Sequence, residues 1–86
     1  MDESKEEECI LPLSELPEGS RGIVHATYGG RGMLARLSAM GLTVGTEVTV
    51  VQNPFVGPVV VDVRGVRLAI GRGMATRIMV CVKQDK

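Results

Sequence analysis

The sequence predicts a mostly β protein: a small, closed or nearly closed barrel of five to six strands with one short α-helix between the early strands. Three observations carry that expectation. Apolar residues recur at every second position in several short runs, which is the period of a half-buried strand. A single run, from Met33 to Met40, switches to helical spacing and then stops at a glycine. Pro and Gly punctuate the runs at short intervals, and a small sheet of short strands hides its edges by curling onto itself. At 86 residues with 44% apolar content, the chain supports one domain and one core. Its only aromatic residues are Tyr28 and Phe55, so that core has to be aliphatic.

Taken in order, residues 1–8 are acidic and poor in apolar side chains, the composition of a disordered tail. The domain is expected over 9–83, with a polar tail at 84–86. Cys9 to Leu11 begins a short strand that Pro12 confines to an edge, and Leu13 to Gly19 reads as a single turn closed by Pro and Gly. Arg21 to Tyr28 is the next strand, with Ile23 placed inward. Gly29-Gly30 is a hinge into the helix, on which Met33 or Leu34, Leu37 and Met40 share a face. Gly41 falls at the left-handed position after the helix, and Leu42 falls where it would touch Leu37 in a Schellman ending. After Gly45 the period returns to two, and Val48 and Val50 point inward from Thr46 to Gln52. A Pro/Gly loop, Asn53 to Pro58, carries Phe55 at its tip. Val59, Val61 and Val63 then alternate up to a reversal at Gly65. The return strand, Val66 to Ile70, brings Leu68 and Ile70 inward, making a hairpin whose turn type stays open. Gly71 to Thr76 reads as a turn or a single 3-10 segment. Ile78, Val80 and Val82 alternate in the last strand. The chain reads as free of internal repeats and of linkers that would split it.

Zero net charge conceals an asymmetry. Residues 1–18 hold seven acids and Lys5, whereas residues 19–84 hold seven arginines and Lys83 against Glu47 and Asp62. The ordinary reading of the acidic arm is a solvated tail; the sharper one is that it folds back over the arginine surface. No apolar run approaches the length of a membrane span and the N-terminus is acidic, so a cytoplasmic location is expected. Cys9 and Cys81 are too few and too far apart for a disulfide framework.

Catalytic groups are scarce. His25 is the single histidine, the acids of the body are Glu47 and Asp62 on polar strand positions, and Gly29 to Gly32 lacks the lysine and hydroxyl of a phosphate loop. No enzyme is expected. For a transition metal, ferrous iron or zinc, the donors would be Cys9, His25 and Cys81. Their chemistry suits such ions but their spacing does not, unless a first strand pairs antiparallel with the last and brings the two cysteines together. No cofactor is required. Arg64, Arg67, Arg72 and Arg77 have the charge to meet phosphates, yet Tyr28 and Phe55 sit apart and offer no stacking platform, so no nucleic acid is expected. Contact with a protein remains. Arg36, Phe55 and Arg67 are the anchors expected for it, since exposed aromatics and arginines dominate interfaces; the alternative for Phe55 is that it folds back and caps the barrel mouth.

The order Leu-Ser-Glu-Leu-Pro-Glu-Gly, then Arg-Leu-Ser-Ala-Met-Gly-Leu-Thr-Val-Gly-Thr-Glu-Val, then Pro-Phe-Val-Gly-Pro-Val, then Val-Arg-Gly-Val-Arg-Leu-Ala-Ile, resembles the FeoA family from about Ile10 to Val82. Leu37, Met40, Gly41, Leu42 and Gly45 carry its helix-to-strand signature. Pro54, Gly57, Pro58, Gly65, Leu68, Ala75 and Val80 carry its loop, hairpin and final strand. Val44 stands where that family often has proline, Gly71 and Gly73 where it has better helix formers, and the acidic arm is an addition. The resemblance implies a small cytoplasmic SH3-like barrel that serves bacterial ferrous iron uptake without chemistry of its own. Its partner would be the cytoplasmic GTP-binding domain of the iron transporter, and it would meet a membrane only through that partner. The rival implication is a free-standing SH3-like module of the kind found in metal-dependent transcription repressors, acting by association with such a repressor. Self-association is left open.

Overall fold

The computed structural model describes residues 9–83. The segments 1–8 and 84–86, read above as acidic and polar tails, lie outside the described residues. Six strands are present among the described residues: β1 (Cys9–Pro12), β2 (Arg21–Thr27), β3 (Glu47–Gln52), β4 (Val59–Val63), β5 (Val66–Ile70) and β6 (Ile78–Val82). A 3-10 turn at Leu13–Glu15 follows β1, the helix α1 (Arg31–Ala39) joins β2 to β3, and a single helical turn α2 (Arg72–Ala75) precedes β6. The strands form one sheet in the order β1-β6-β2-β3-β4-β5, antiparallel throughout. Register shifts between Val24 and Ala26, and between Val50 and Gln52, bend β2 and β3 and let so narrow a sheet curl round its core.

Alternation decides what lies inside. Val48 and Val50, then Val59, Val61 and Val63, then Ile70, Ile78 and Val80 are all buried and belong to one cluster. Each such aliphatic side chain removed from water contributes about 1.5–3 kcal/mol, so this cluster dominates the stability of the fold. Non-strand segments close the ends: Leu13 and Leu16 from the turn after β1, Leu37 from α1 and Leu42 just beyond it are each fully or almost fully buried. Met33 and Met40 are half-buried against the same cluster, while Leu34 stays exposed, so Met33 is the residue that completes the helix face.

The helix ends as its sequence requires. Gly41 has φ +85°, its N–H donates to Ser38 O at 3.0 Å, and Leu42 N–H donates to Leu37 O at 2.9 Å. These are the two bonds of a Schellman motif. The following turn is pinned to β2: Gly45 N–H donates to Val24 O and Val24 N–H donates to Thr46 O, both at 2.8 Å. In the β4–β5 hairpin, Arg64 (φ 54°) and Gly65 (φ 87°) both lie in the left-handed region, which makes the two-residue reversal a type I′ turn. The Asp62 carboxylate accepts a 2.9 Å bond from Gly65 N–H and steadies it.

Two expectations are corrected. Ile23 is not an inward position of β2: Gly22 and Val24 are buried and Ile23 is half-buried on the opposite face. Gly22 is glycine because β6 passes directly over it; a Cβ there would come to 2.4 Å from Val80 Cγ1 and 2.7 Å from the Cys81 carbonyl oxygen. Residues 72–75, read as a turn or 3-10 segment, form one α-helical turn with Ala75 N–H bonded to Gly71 O at 2.9 Å.

Gly22→Ala is therefore expected to destabilise the protein by about 2 kcal/mol, within the usual range for forcing an extra carbon into a filled core. Urea unfolding followed by circular dichroism measures this, with Gly73→Ala, where a Cβ would meet nothing within 4 Å, as the control that loses no stability.

Candidate functional site

The residues proposed as metal donors are distributed by strand register. β1 does pair antiparallel with β6, but Cys81 stands opposite Ile10, while Cys9 stands opposite Val82. Directly opposed residues share a face and neighbours alternate, so the two cysteines lie on opposite faces of the sheet. His25 occupies the irregular position of β2 and is exposed. Among the described residues no three His, Cys, Asp or Glu side chains gather into a metal-holding group. Cys9, His25 and Cys81 thus do not fit a shared ion.

Phe55 is presented rather than tucked in. It is 99% exposed, its neighbour Val56 is 81% exposed, and neither caps the barrel. The loop that carries them is held by Arg72 at the start of α2. Its Nε donates to Gly57 O at 2.9 Å, while Nη2 donates to Asn53 Oδ1 and to Pro54 O, each at 2.6 Å. Asn53 in turn donates from Nδ2 to Leu16 O at 2.7 Å and to Ser14 O at 3.1 Å, and its backbone N–H donates to Glu18 Oε2 at 2.9 Å. One guanidinium fork and one amide thereby join the 3-10 turn, the Pro/Gly loop and α2. Charge-assisted bonds of this kind are short and about twice as strong as neutral ones. A surface cleft of about 530 Å³ runs along the knot, lined by Leu16, Pro17, Pro54, Phe55 and Arg72 among others. Arg72 is consequently not a free surface cation.

A second groove, of about 500 Å³, opens between α1 and α2, lined by Gly32, Met33 and Arg36 from one and by Gly73, Met74 and Arg77 from or just after the other. These residues hold equivalent places in a repeated heptapeptide. Gly-Arg-Gly-Met-Leu-Ala-Arg at 30–36 and Gly-Arg-Gly-Met-Ala-Thr-Arg at 71–77 share the pattern Gly-Arg-Gly-Met-x-x-Arg, so the expectation of no internal repeat is corrected at this short scale. In both copies the first glycine caps the helix start. Tyr28 N–H donates to Arg77 O at 2.9 Å, which ties the approach to the first copy onto the end of the second. The cue was visible in the letters, but nothing in them showed that the copies meet. Arg36 belongs to this groove, whereas Arg67 lies outward on the edge strand β5 opposite Asp62 and lines neither cleft. The three expected contact residues therefore occupy three separate places.

Six antiparallel strands round one aliphatic core, a nine-residue helix laid over an end, and clefts formed by loops and helix starts define a small SH3-like barrel module. The FeoA domain family model matches residues 11–82, and the chain belongs to the FeoA family, the accessory proteins of ferrous iron transport. A protein of Methanocaldococcus jannaschii provisionally named Fe(2+) transport protein A is 41% identical over 71 residues, covering 83% of this chain and 85% of that one. Among solved structures, a crystal structure described as an iron uptake regulatory protein (FeoA) superposes with a TM-score of 0.84 at 41% identity, covering 87% of this chain and all of that one. Stenotrophomonas maltophilia FeoA, crystallised with zinc and described as a procaryotic SH3 domain protein, matches with a TM-score of 0.70 at 28% identity, covering 84% and 94%. A manganese-dependent transcriptional repressor matches with a TM-score of 0.81 but 19% identity, over 88% of this chain and 43% of its own, and so shares the fold alone.

Removing the loop's anchor is expected to loosen it. Arg72→Ala should cost about 2 kcal/mol, since it deletes charge-assisted bonds and leaves their acceptors without a protein donor. Arg72→Lys should recover less than half of that loss, because a single ammonium cannot reproduce the planar fork. Urea midpoints read the energies, and faster amide exchange confined to 53–57 reads the loosening.

Proposed function

We propose that this protein is a non-enzymatic accessory and regulatory component of ferrous iron uptake. It works by binding the GTP-binding part of an iron transporter on the cytoplasmic side of the membrane. The chain itself is cytoplasmic and meets the membrane through that partner; no helix among the described residues is long and apolar enough to cross one. Membership of the FeoA family supplies the transport system. The observation that carries the contact reading is Phe55: a fully exposed aromatic held on a loop fixed by Arg72 and Asn53. A large apolar side chain on a loosely tethered tip loses conformational entropy when it docks. One on a fixed tip has already lost much of it, and the area it buries then counts toward affinity. Aromatic anchors of this sort concentrate the binding energy of interfaces.

The repressor alternative gains nothing specific, because that likeness extends to the fold alone. Ferrous iron enters as the cargo of the transporter.

The test is binding of the full chain to the transporter's isolated cytoplasmic part, followed by calorimetry. Phe55→Ala is expected to weaken binding by about tenfold or more, the usual effect of losing an interface anchor, with an unchanged unfolding midpoint. Unaltered affinity in that variant would remove Phe55 from the contact surface, and the absence of any binding would remove the partner.

A further inference from the structure

The groove between α1 and α2 has three features that its role in the fold does not explain. First, among the described residues its two charged lining residues are both cations, Arg36 and Arg77, and no acid lines it. Both arginines are exposed, and their guanidinium groups have no hydrogen-bond or ion-pair partner among the described residues. Second, its floor is apolar: Met33 and Met74 are each half-buried against the core and leave the rest of their surface facing the groove. Unbranched thioether side chains adapt their shape to an apolar ligand more readily than branched ones. Third, two of its lining positions, Gly32 and Gly73, carry no side chain. A Cβ on either would touch nothing within 4 Å, and neither has a positive φ. Alanine would fit both positions and favour both helices, so the fold itself does not call for glycine at either. The repeated heptapeptide supplies all three features twice.

We propose that this groove binds an acidic peptide segment with an apolar centre, in which two carboxylates meet Arg36 and Arg77 and the apolar side chain between them lies over Met33 and Met74. Charge complementarity selects the carboxylates, which the guanidinium fork receives through paired hydrogen bonds. The methionine floor selects a peptide over a small inorganic anion, because an anion alone would leave that floor wet. The paired copies of Gly-Met-x-x-Arg give the site one cation on each side, so an occupant with a carboxylate on each side of its apolar residue fits it. The proposal deepens the contact reading and rests on it only in that the chain works by binding. It concerns a different face from Phe55.

The test is an NMR titration of the isotope-labelled full chain with capped synthetic peptides in which two aspartates flank one, two or three leucines. Shifts are expected at the amides of Gly32, Met33, Gly73 and Met74. Affinity for at least one such peptide should exceed that for its asparagine-flanked or serine-centred versions by about tenfold or more, as desolvated anchors usually require. The double variant Arg36→Glu with Arg77→Glu should lose the acidic peptide and take up the lysine-flanked version, while Gly73→Leu should block both. Equal binding of the asparagine-flanked peptides would overturn the proposal, as would shifts located elsewhere, or inorganic phosphate reproducing the same shifts at the same affinity. Because the titration needs no transporter, its failure would leave transporter binding through Phe55 standing, and failure of that binding would leave the titration interpretable.

Discussion

The interior of this protein has to be filled without a single aromatic ring. Fourteen buried aliphatic residues among those described do so, contributed by β2, β3, β4, β5, β6, both helices and the segments that follow β1 and α1. Small side chains fill a cylinder only if its walls come close. That is why Gly22 lies beneath Val80, and why four leucines from outside the strands are drawn in to close the ends. The same constraint leaves Tyr28 and Phe55 outside, at 58% and 99% exposure. An aromatic residue absent from the core becomes available to the surface, so the composition of the core and the chemistry of the contact face are linked.

Polar groups are used sparingly and in concentrated form. Thr46 is the one buried polar residue of the described chain, and it pairs with Thr43 Oγ1 at 3.2 Å. No buried side-chain nitrogen or oxygen among the described residues is left without a partner. The exposed ion pairs of Glu47 with Arg21 and Lys83 are long, at 3.9 and 3.7 Å, and belong to the class that contributes about 0–1 kcal/mol. The Arg72–Asn53 knot differs from these in kind. Its bonds join residues as far as 58 positions apart, and most of their acceptors are main-chain carbonyls of loops that no sheet ladder reaches. It does for the irregular half of the molecule what strand pairing does for the regular half.

Local chemistry was legible in the letters, and long-range placement was not. The Gly41 ending, the Val59 to Ile70 hairpin and the inward positions of β3, β4 and β6 follow from periods and turn residues that a short window contains. Ile23 was misplaced because the inward partner of Val24 is a glycine, which leaves no apolar mark on the alternation. Cys9 and Cys81 missed each other by one residue of register, and in a sheet one residue is the difference between faces. Arg72 looked like one more surface cation because its acceptors are backbone carbonyls, which sequence does not identify.

Alike in sequence, the two heptapeptides both start helices from a glycine cap, yet their first arginines diverge: Arg72 is consumed in holding a loop, while Arg31 is exposed. The shared letters therefore set the helix start, and the surroundings set the use of each first arginine. What the copies share is Gly-Met-x-x-Arg, and those residues line the groove. Their meeting follows from topology. The first copy begins three residues after β2 ends and the second finishes immediately before β6 begins, and β2 and β6 are adjacent antiparallel strands. The end of one strand and the start of its antiparallel neighbour lie at the same end of the sheet, so segments attached there must be close. A motif placed twice at that end is brought face to face by strand pairing alone, without any contact between the copies being required to hold them.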